Sequence, residues 1–346
     1  MKTLYIKARA PSRIGIGGGG SDLPAFFEKY GGAVLNVAVD LYSYVKMHVN
    51  SKNNSTKIVS HDWEVIREIR DTELEFELNK KENVDIIKAV MKECNLDPLN
   101  GYEILIHSMA PKNSGLAGSS ALLVSLLLVM SNIAGRPILD RKLLAETAIK
   151  IERDILKRIG GHQDQYASVF GGFNFIEFSK NETNIYPLRL QEDLVAELHS
   201  AMMLFETPYQ RTKQAHEIEK KKEEDIQNEG ESVEHLKNIR DHAYKMKDAL
   251  IGGDLRELGS LLHQSWLEKQ KLPGVASNQI NKLYETAIQN GAYGGKLCGA
   301  GEGGFLFIIA ELSNRKKVIS AMKNMGANIV NFDFDFKGAL TWRTAY

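Results

Sequence analysis

Residues 12–24, SRIGIGGGGSDLP, combine glycines with hydroxyl and carboxylate side chains, a set suited to binding phosphate groups or sugar hydroxyls. Gly15, Gly17 and Gly20 fit the pattern G-x-G-x-x-G. Asp40 follows 20 residues after the last of these glycines. This spacing is typical of a dinucleotide-binding loop, in which glycines let the backbone approach a pyrophosphate and the acidic residue binds a ribose. A nicotinamide-dependent enzyme is therefore one interpretation.

The sequence after these glycines disagrees with that interpretation. A dinucleotide fold needs a helix of ordinary length here, whereas Pro24 and the pair Gly31 and Gly32 leave only about eight residues for one. The acidic residue should also end a strand, but Asp40 lies inside NVAVDLYSY, which has strand-forming sequence on both sides. The glycines are better explained by a different ligand.

A second glycine-rich stretch, PKNSGLAGSSA at residues 111–121, lies between a predicted strand and a long apolar helix. Ser119 and Ser120 stand where the helix should begin, and Gly115 and Gly118 permit a close backbone approach. Free N–H groups at the positive end of a helix form an anion site, so bound phosphate is the natural ligand. No G-K-[ST] follows, so this is not a Walker A loop. Taken alone, the stretch also fits a glycine-rich turn with serine caps.

A third stretch, KLCGAGEGGFLFII at residues 296–309, places four glycines before an apolar strand. Alone it fits a hairpin turn as well as a loop pressed against a ligand. In this order and at these separations, however, APSRIGIGGGGSDLP, GLAGSSA and GAGEGG resemble the three motifs of the GHMP kinases. That superfamily includes galactokinase, homoserine kinase, mevalonate kinase and phosphomevalonate kinase. The resemblance extends from Ala10 to Phe307.

The resemblance implies an α+β fold of the GHMP kinase type, with two domains and the active site in the cleft between them. We expect the domains to cover residues 1–190 and 191–346. The first motif is most similar to the branch that phosphorylates the anomeric hydroxyl of D-glycero-D-manno-heptose 7-phosphate for surface polysaccharide synthesis. ATP and Mg²⁺ are the implied cofactors, and a small sugar phosphate is the implied partner. A fucokinase-like enzyme for an unphosphorylated sugar and a non-catalytic sugar- and ATP-binding regulator remain alternatives.

The resemblance also implies roles for individual residues. Asp164 would accept or orient the proton of the anomeric hydroxyl, and Arg13 would stabilise charge beside it. Glu152 and Ser119, with Ser120 as the fallback, would bind the metal. The residues implied to bind ATP are Lys112, Ser114, Gly115, Leu116, Ala117, Gly118, Ser119 and Ser120, and those implied to bind substrate are Arg13, Gly19, Gly20, Ser21, Asp22, His162, Gly299 and Gly301.

The chain departs from the family pattern in the second motif. The usual sequence is closer to G-L-G-S-S, so Ala117 and Gly118 leave the serine assignment uncertain by one position. The third motif carries Glu302, an acidic residue near the expected path of the phosphates, for which the pattern gives no role. A substrate phosphate would need a cationic pocket, and Arg211 and Lys213 in TPYQRTKQ are candidates for it.

Composition limits the class of protein. The chain has 346 residues, 43% of them hydrophobic, which is enough for two domains with substantial cores. Its 44 basic and 44 acidic residues give no net charge, which argues against a nucleic-acid-binding face. Two cysteines form no disulfide framework, and the longest apolar stretch, at 121–130, is about half the length of a membrane span. We therefore expect a cytoplasmic protein with no nucleic-acid or membrane partner, and a homo-oligomer is possible.

The elements that position these motifs follow from hydrophobic periodicity. We predict strands at 3–9, 33–49, 102–108 and 171–178, a short helix at 23–30, a buried helix over 121–130 and an amphipathic helix at 141–159. AELHSAMMLFETP is predicted to be a strand that leads into a loop, and charge-rich helices should follow as far as residue 290. GGFLFIIAE and ALTWRTAY should supply the last strands.

Overall fold

The computed structural model describes residues 4–50, 53–60, 65–70, 74, 84–209 and 215–345. The strands are β1 (Leu4–Gly17), β2 (Gly32–Val49), β3 (Thr56–Ser60), β4 (Val65–Ile69), β5 (Tyr102–Ser108), β6 (Phe173–Phe178), β7 (Thr183–Leu188), β8 (Met202–Glu206), β9 (Ala292–Leu297), β10 (Phe305–Ala310), β11 (Asn328–Val330) and β12 (Leu340–Ala345).

Helices are interspersed with these strands, and the described strand pairings are antiparallel except for β3 with β5, as expected for an α+β chain. They are α1 (Pro24–Tyr30), α2 (Val84–Glu93), α3 (Gly118–Ile133), α4 (Arg141–Lys150), α5 (Gln163–Phe170), α6 (Glu192–Ala201), α7 (Ala215–Gln227), α8 (Ser232–Ile251), α9 (Leu255–Gln270), α10 (Asn278–Gln289) and α11 (Leu312–Asn324), with a 3₁₀ turn at Pro98–Asn100 and a π-helical turn at Ile151–Ile155.

The first sheet has the order β12-β1-β2-β5-β3-β4, with β6 and β7 added beside β2. The long strand β2 pairs with two different strands along one edge: residues 32–37 pair with β6 and residues 43–49 pair with β5. Between these two pairings, the backbone N–H of Asp40 donates to the carbonyl oxygen of Asp333 at 3.0 Å. Asp40 is therefore an interior strand residue, as the sequence predicts, and a dinucleotide-binding role for it is wrong.

Strand β1 is irregular, and its irregularity positions the first glycine-rich stretch. Its register with β2 shifts between Pro11 and Ser12 and again between Gly15 and Gly17. Proline cannot donate to the ladder of hydrogen bonds, so a bulge is where a strand tolerates it. Bulges bend a strand and redirect its side chains. Arg13 lies between the two shifts, where the pairing with β2 departs from regular register.

Helix α3 is buried from residue 120 to residue 131 and packs on β1 and β2. This confirms that the apolar stretch at 121–130 is a core helix. Among the described residues, no helix combines the length and the apolar character needed to cross a membrane.

The second sheet is antiparallel, in the order β11-β8-β10-β9, and α9, α10 and α11 pack on it. The two sheets share a hydrophobic core, since Ile14 and Ile16 of β1 belong to the same buried cluster as Phe305 and Phe307 of β10. Each such side chain contributes about 1.5–3 kcal/mol when it is fully buried. This shared core fixes the first and third glycine-rich stretches relative to each other.

Two predicted elements differ from the structure. The helix predicted over 141–159 changes to a π-helical turn after Lys150 and ends at Ile155. AELHSAMMLFETP is helical in its first half, because Leu198 and Ala201 give α6 a buried face and acidic residues occupy its first turn.

The C-terminal strand β12 pairs with β1 in the first sheet, so residues 340–345 pack with the N-terminal half. The domain boundary at residue 190 stays a prediction.

Candidate active site

The three glycine-rich stretches meet around one cavity of about 710 Å³. Residues before and after position 190 line it, and stretches that are almost 300 residues apart in sequence become neighbours. The expected site residues in its wall are Arg13, Gly19, Gly20, Asp22, Lys112, Ser114, Gly115, Ala117, Gly118, Ser119, Ser120, Glu152, Asp164 and Gly299. The structure therefore brings together most of the residues that the motifs single out.

The second and third stretches pack backbone against backbone. A Cβ on Gly115 would lie 2.5 Å from the carbonyl oxygen of Cys298, and a Cβ on Gly299 would lie 2.6 Å from the Cα of Gly115. Both glycines also have positive φ, 77° and 71°. No side chain fits such a contact, so glycine is required at both positions. The third stretch thus supports the loop that precedes α3.

Arg13 and Asp164 form a buried ion pair at the wall of the cavity. The Nε and NH2 groups of Arg13 donate to Oδ1 of Asp164 at 2.8 and 2.6 Å, and its NH1 group donates to the carbonyl oxygen of Gly115 at 2.8 Å. Burial raises the pKa of the Asp164 carboxyl, and the positive charge of Arg13 opposes this shift. The side chain of Asp164 keeps 22% of its surface exposed, so a ligand can reach it.

Asp22 connects the first stretch to the start of α5. Its Oδ1 accepts from the backbone N–H of Gly20 at 3.0 Å, and its Oδ2 accepts from the backbone and side-chain amides of Gln163 at 3.1 and 3.2 Å. An ionised carboxylate has about four acceptor positions, so one remains for a ligand hydroxyl. The expected substrate contact is compatible with this geometry and stays a prediction.

Ser120, rather than Ser119, lies beside Glu152. The Ser120 hydroxyl donates to Oε2 of Glu152 at 3.2 Å, and Nε2 of Gln165 donates to the same oxygen at 2.5 Å. Ser119 is exposed and accepts a hydrogen bond from Arg158 at 3.4 Å. Consecutive residues on a helix point about 100° apart, so only one serine can face the acid. The structure therefore favours the fallback Ser120 over Ser119 as the neighbour of Glu152, and a metal contact by either serine stays a prediction.

The loop before α3 lines the cavity, where an anion site is expected. Ala117 has a left-handed conformation, with φ 65° and ψ 27°, and Gly118 begins the helix. Leu116 is fully buried and does not line the cavity, although its carbonyl oxygen accepts from the backbone N–H of Arg13 at 2.9 Å. Its expected contact with ATP is therefore corrected to a supporting role under the loop.

Three residues predicted to bind substrate lie outside the cavity wall. The Ser21 hydroxyl is fully buried and bonds to the carbonyl oxygens of Gly18 and Ala33. Gly301 packs against Val275, since a Cβ there would lie 2.6 Å from its Cα. Both residues shape the backbone around the site instead of contacting a ligand. Glu302, for which the sequence pattern gave no role, also lies outside the wall.

His162 is the third predicted substrate-binding residue that lies outside the cavity wall. Its ring packs edge-on against Phe27 at a centroid distance of 5.3 Å, and burial lowers the pKa of the imidazole to about 4. The ring is therefore neutral at pH 7 and part of an aromatic cluster. A direct substrate contact by this side chain is not supported by its position.

The lysines of the cavity wall were not found from the sequence. Lys222, Lys269 and Lys296 line the cavity and are each less than 8% exposed. Lys296 opens the third glycine-rich stretch, which is the one signal that could have drawn attention to it. Arg211 and Lys213, the predicted phosphate-binding candidates, lie outside the described residues.

Two family models match the chain: GHMP kinases N terminal domain at residues 81–172 and GHMP kinases C terminal at residues 246–328. The chain is 34% identical to D-glycero-alpha-D-manno-heptose 7-phosphate kinase from Campylobacter jejuni, over 99% of this chain and 100% of the relative. A crystal structure of a D-glycero-D-manno-heptose 1-phosphate kinase from Bacteroides thetaiotaomicron superposes with a TM-score of 0.78 at 27% identity, covering 97% of this chain and 98% of that one.

A crystal structure of a putative sugar kinase from Campylobacter jejuni is equally similar, with a TM-score of 0.77 at 30% identity and 98% of both chains covered. These comparisons confirm the fold and the resemblance that the three motifs predict. Both halves of the molecule, and not the motifs alone, carry the likeness. The chain belongs to the GHMP kinase family, a family of ATP-dependent kinases.

Proposed function

We propose that this kinase transfers the γ-phosphoryl group of ATP to the anomeric hydroxyl of D-glycero-D-manno-heptose 7-phosphate, giving the 1,7-bisphosphate in the cytoplasm. The Campylobacter jejuni relative named for this substrate supports the choice, since it aligns with the chain over its full length. The observation that carries the reaction is the Arg13–Asp164 pair. It places an accessible carboxylate in the cavity wall, and Arg13 also bonds the loop before α3.

Asp164 is the general base in this proposal. It accepts the proton of the anomeric hydroxyl while that oxygen bonds to the γ-phosphorus and the bond to the departing ADP oxygen breaks. Burial raises the pKa of Asp164, which makes it a better proton acceptor than an exposed aspartate. Arg13 holds the carboxylate in one orientation and keeps a positive charge close to the transferring group.

The loop at 111–120 is the proposed phosphate cradle. Its backbone N–H groups lie at the N-terminus of α3, a helix of 16 residues, whose positive end favours negative charge. Lys112 and Ser114 line the same part of the cavity. Phosphoryl transfer depends mainly on positioning and charge stabilisation, which is what this loop and the Arg13–Asp164 pair offer together.

Ser120 and Glu152 fit a Mg²⁺ ion. Mg²⁺ usually takes one or two protein oxygens and completes its shell with phosphates and water. The Ser120 hydroxyl and Oε2 of Glu152 are 3.2 Å apart, and Gln165 orients the carboxylate. The described residues contain no cluster of three acidic, histidine or cysteine ligands, and such a cluster is not needed here. When bound, the ion would neutralise charge on the ATP phosphates.

Steady-state phosphorylation of a sugar panel tests the proposal. The panel contains D-glycero-D-manno-heptose 7-phosphate, the same heptose without phosphate, mannose, fucose and galactose. We expect the heptose 7-phosphate to have the highest kcat/KM by roughly 100-fold or more, because two or three charge-assisted bonds to its phosphate are lost in the other sugars. Equal values for heptose with and without phosphate would favour the fucokinase-like alternative. ATP and sugar binding without turnover would favour the regulator.

A further inference from the structure

Three buried lysines converge on one part of the cavity and form what we call the lysine cluster: Lys222 of α7, Lys269 of α9 and Lys296 of β9. They are exposed by 2%, 6% and 7%, respectively. Burying an ammonium group costs several kcal/mol unless a negative charge compensates for it. A cluster of three is therefore maintained against a considerable desolvation cost.

The protein supplies little negative charge to this cluster. Glu219 bonds Lys222 at 3.1 Å, and among the described residues Lys269 and Lys296 have no carboxylate within 4 Å. Lys269 instead donates to the carbonyl oxygen of Gly299 at 2.8 Å. Beyond Glu219, the electrostatic partner of Lys296 is Asp22, which acts from a longer distance. The cluster therefore has fewer negative than positive groups, and the dianionic charge of a phosphate monoester would complement it.

Desolvation and repulsion from neighbouring cations lower the pKa of two of these lysines. Burial lowers the pKa of Lys296 to about 8, and it lowers the pKa of Lys269 well below its ordinary value, assisted by the charges of Lys296 and Lys222. Both pKa values are lowered, as expected for buried cations that lack an adequate counter-charge in the protein. An anionic ligand would supply it.

The position of Lys296 points to the sugar side of the cavity. Its Nζ lies 3.6 Å from the point where a Cβ on Gly15 would be and 3.7 Å from that point on Gly19. The side-chain amide of Gln163 borders the same two points, at 3.3 and 3.7 Å. The backbone at Gly15 and Gly19 has no positive φ, so the lack of a side chain there provides space and not a special conformation.

We propose that the lysine cluster binds the phosphate that the sugar substrate already carries. This inference rests on the proposed function and assigns a specificity site within it. The sugar then lies between two anchors: the anomeric hydroxyl at Asp164 and the phosphate at Lys222, Lys269 and Lys296. The space over Gly15 and Gly19 receives the body of the sugar. The loop before α3 is left for the phosphates of ATP.

Kinetics with matched sugars test the cluster. In Lys296→Met and Lys269→Met, kcat/KM for D-glycero-D-manno-heptose 7-phosphate should fall roughly 10- to 100-fold, the loss of one charge-assisted bond. The value for the unphosphorylated heptose should stay within about threefold, and KM for ATP should not change. Lys271→Met is the matched control, because Lys271 follows α9 directly and is 54% exposed. An equal loss with both sugars, no loss, or a change confined to KM for ATP would overturn the assignment.

Melting with inorganic phosphate separates the cluster from the choice of sugar. With saturating ADP present to fill the nucleotide loop, phosphate should raise the melting temperature of the wild-type protein and of Lys271→Met, but not that of Lys296→Met. Without ligand, Lys296→Met should melt at or above the wild-type temperature, since a costly buried charge is gone. A structural lysine would give a lower melting temperature.

Failure of the proposed function has a different signature. If the wild-type protein does not phosphorylate the heptose 7-phosphate while phosphate still stabilises it and Lys296→Met abolishes that effect, the substrate is wrong and the anion site stands. If phosphate gives no stabilisation that depends on Lys296, the site is overturned whatever the sugar. Both results come from the same set of proteins.

Discussion

The two sides of the cavity treat charge in opposite ways. On the side built by β1, α3 and α5, the acidic groups have donors from the protein itself: Arg13 bonds Asp164, and Ser120 bonds Glu152. We call this the paired side. On the other side, the lysine cluster has Glu219 as its one carboxylate within bonding distance among the described residues. The acidic groups of the paired side thus have donors within the protein, whereas the lysine cluster would obtain its counter-charge from the anion proposed above.

This difference indicates a division of labour. Groups that take part in a reaction need fixed geometry before the substrate arrives, and pairing within the protein gives that geometry. Groups that select a substrate discriminate best when the protein offers them no partner of its own, because a wrong ligand then leaves them unpaired. Substitutions on the paired side should therefore change rate and stability, whereas those in the cluster should change selectivity.

The largest effect is expected at Asp164. Asp164→Asn keeps the volume and one acceptor oxygen but removes the charge and the proton affinity, so kcat should fall by about 10²–10⁴-fold with little change in KM for ATP. Asp154→Asn, at an exposed acid of the π-helical turn, is the control and should keep wild-type kcat. Steady-state kinetics check both. A loss confined to KM for the sugar would make Asp164 a binding residue, and the paired side would then share the role of the cluster.

The metal site offers the next test of the paired side. Glu152→Gln keeps the shape of the side chain but removes its charge, so the Mg²⁺ concentration for half-maximal activity should rise roughly tenfold or more. Ser120→Ala should act in the same direction more weakly, and Ser119→Ala should have no effect because that hydroxyl is exposed and distant from the acid. Titration of Mg²⁺ at saturating ATP and sugar measures this. A larger effect of Ser119→Ala would restore the original assignment.

The next prediction concerns His162 and the dependence of protein stability on pH. Its pKa is lowered from 6.5 to about 4, so the unfolded chain binds a proton at this residue that the folded chain does not. Its contribution to stability is therefore complete above pH 6.5 and is lost as the pH falls toward 4. His162→Phe retains the packing on Phe27 and Phe178 without titrating.

Between pH 7 and pH 5, the free energy of unfolding of His162→Phe should gain about 2 kcal/mol relative to the wild-type protein. Urea unfolding at pH 5, 6 and 7 measures the difference. A difference that does not depend on pH would show that the imidazole is not held neutral by burial, and the paired side would then carry more charge than the structure indicates.

The smallest expected effect concerns strain rather than charge. Ala117 adopts the left-handed conformation, which a residue with a Cβ occupies at a cost of about 1 kcal/mol. Ala117→Gly should therefore stabilise the protein by about 0.5–1 kcal/mol. Ala121→Gly in the first turns of α3 is the control and should destabilise it by about 1 kcal/mol or more. Thermal unfolding of both variants checks the signs, and destabilisation by Ala117→Gly would mean that the methyl group contributes packing that outweighs the strain.

Local sequence was sufficient to predict the secondary-structure elements that have a clear hydrophobic pattern. The second half of β2 was predicted correctly because its burial alternates with the period of a strand, and α3 because its long apolar run suits a fully buried helix. The prediction was wrong for residues 141–159, since the π-helical turn after Lys150 interrupts a pattern that suits a continuous helix. It was also wrong for residues 196–201, where one apolar face of a helix resembled the start of the following strand.

The three glycine-rich motifs identified the family, because their order and separation are properties of the chain alone. The family resemblance in turn implied roles for Arg13, Glu152 and Asp164, which the structure brings to one cavity. The choice between Ser119 and Ser120 depended on which face of α3 is directed toward Glu152, and only the packing of the helix determines that. Lys222, Lys269 and Lys296 lie on three separate elements, and no local pattern relates them. Their proximity results from the shared core of the two sheets, which is a long-range contact that the sequence does not display.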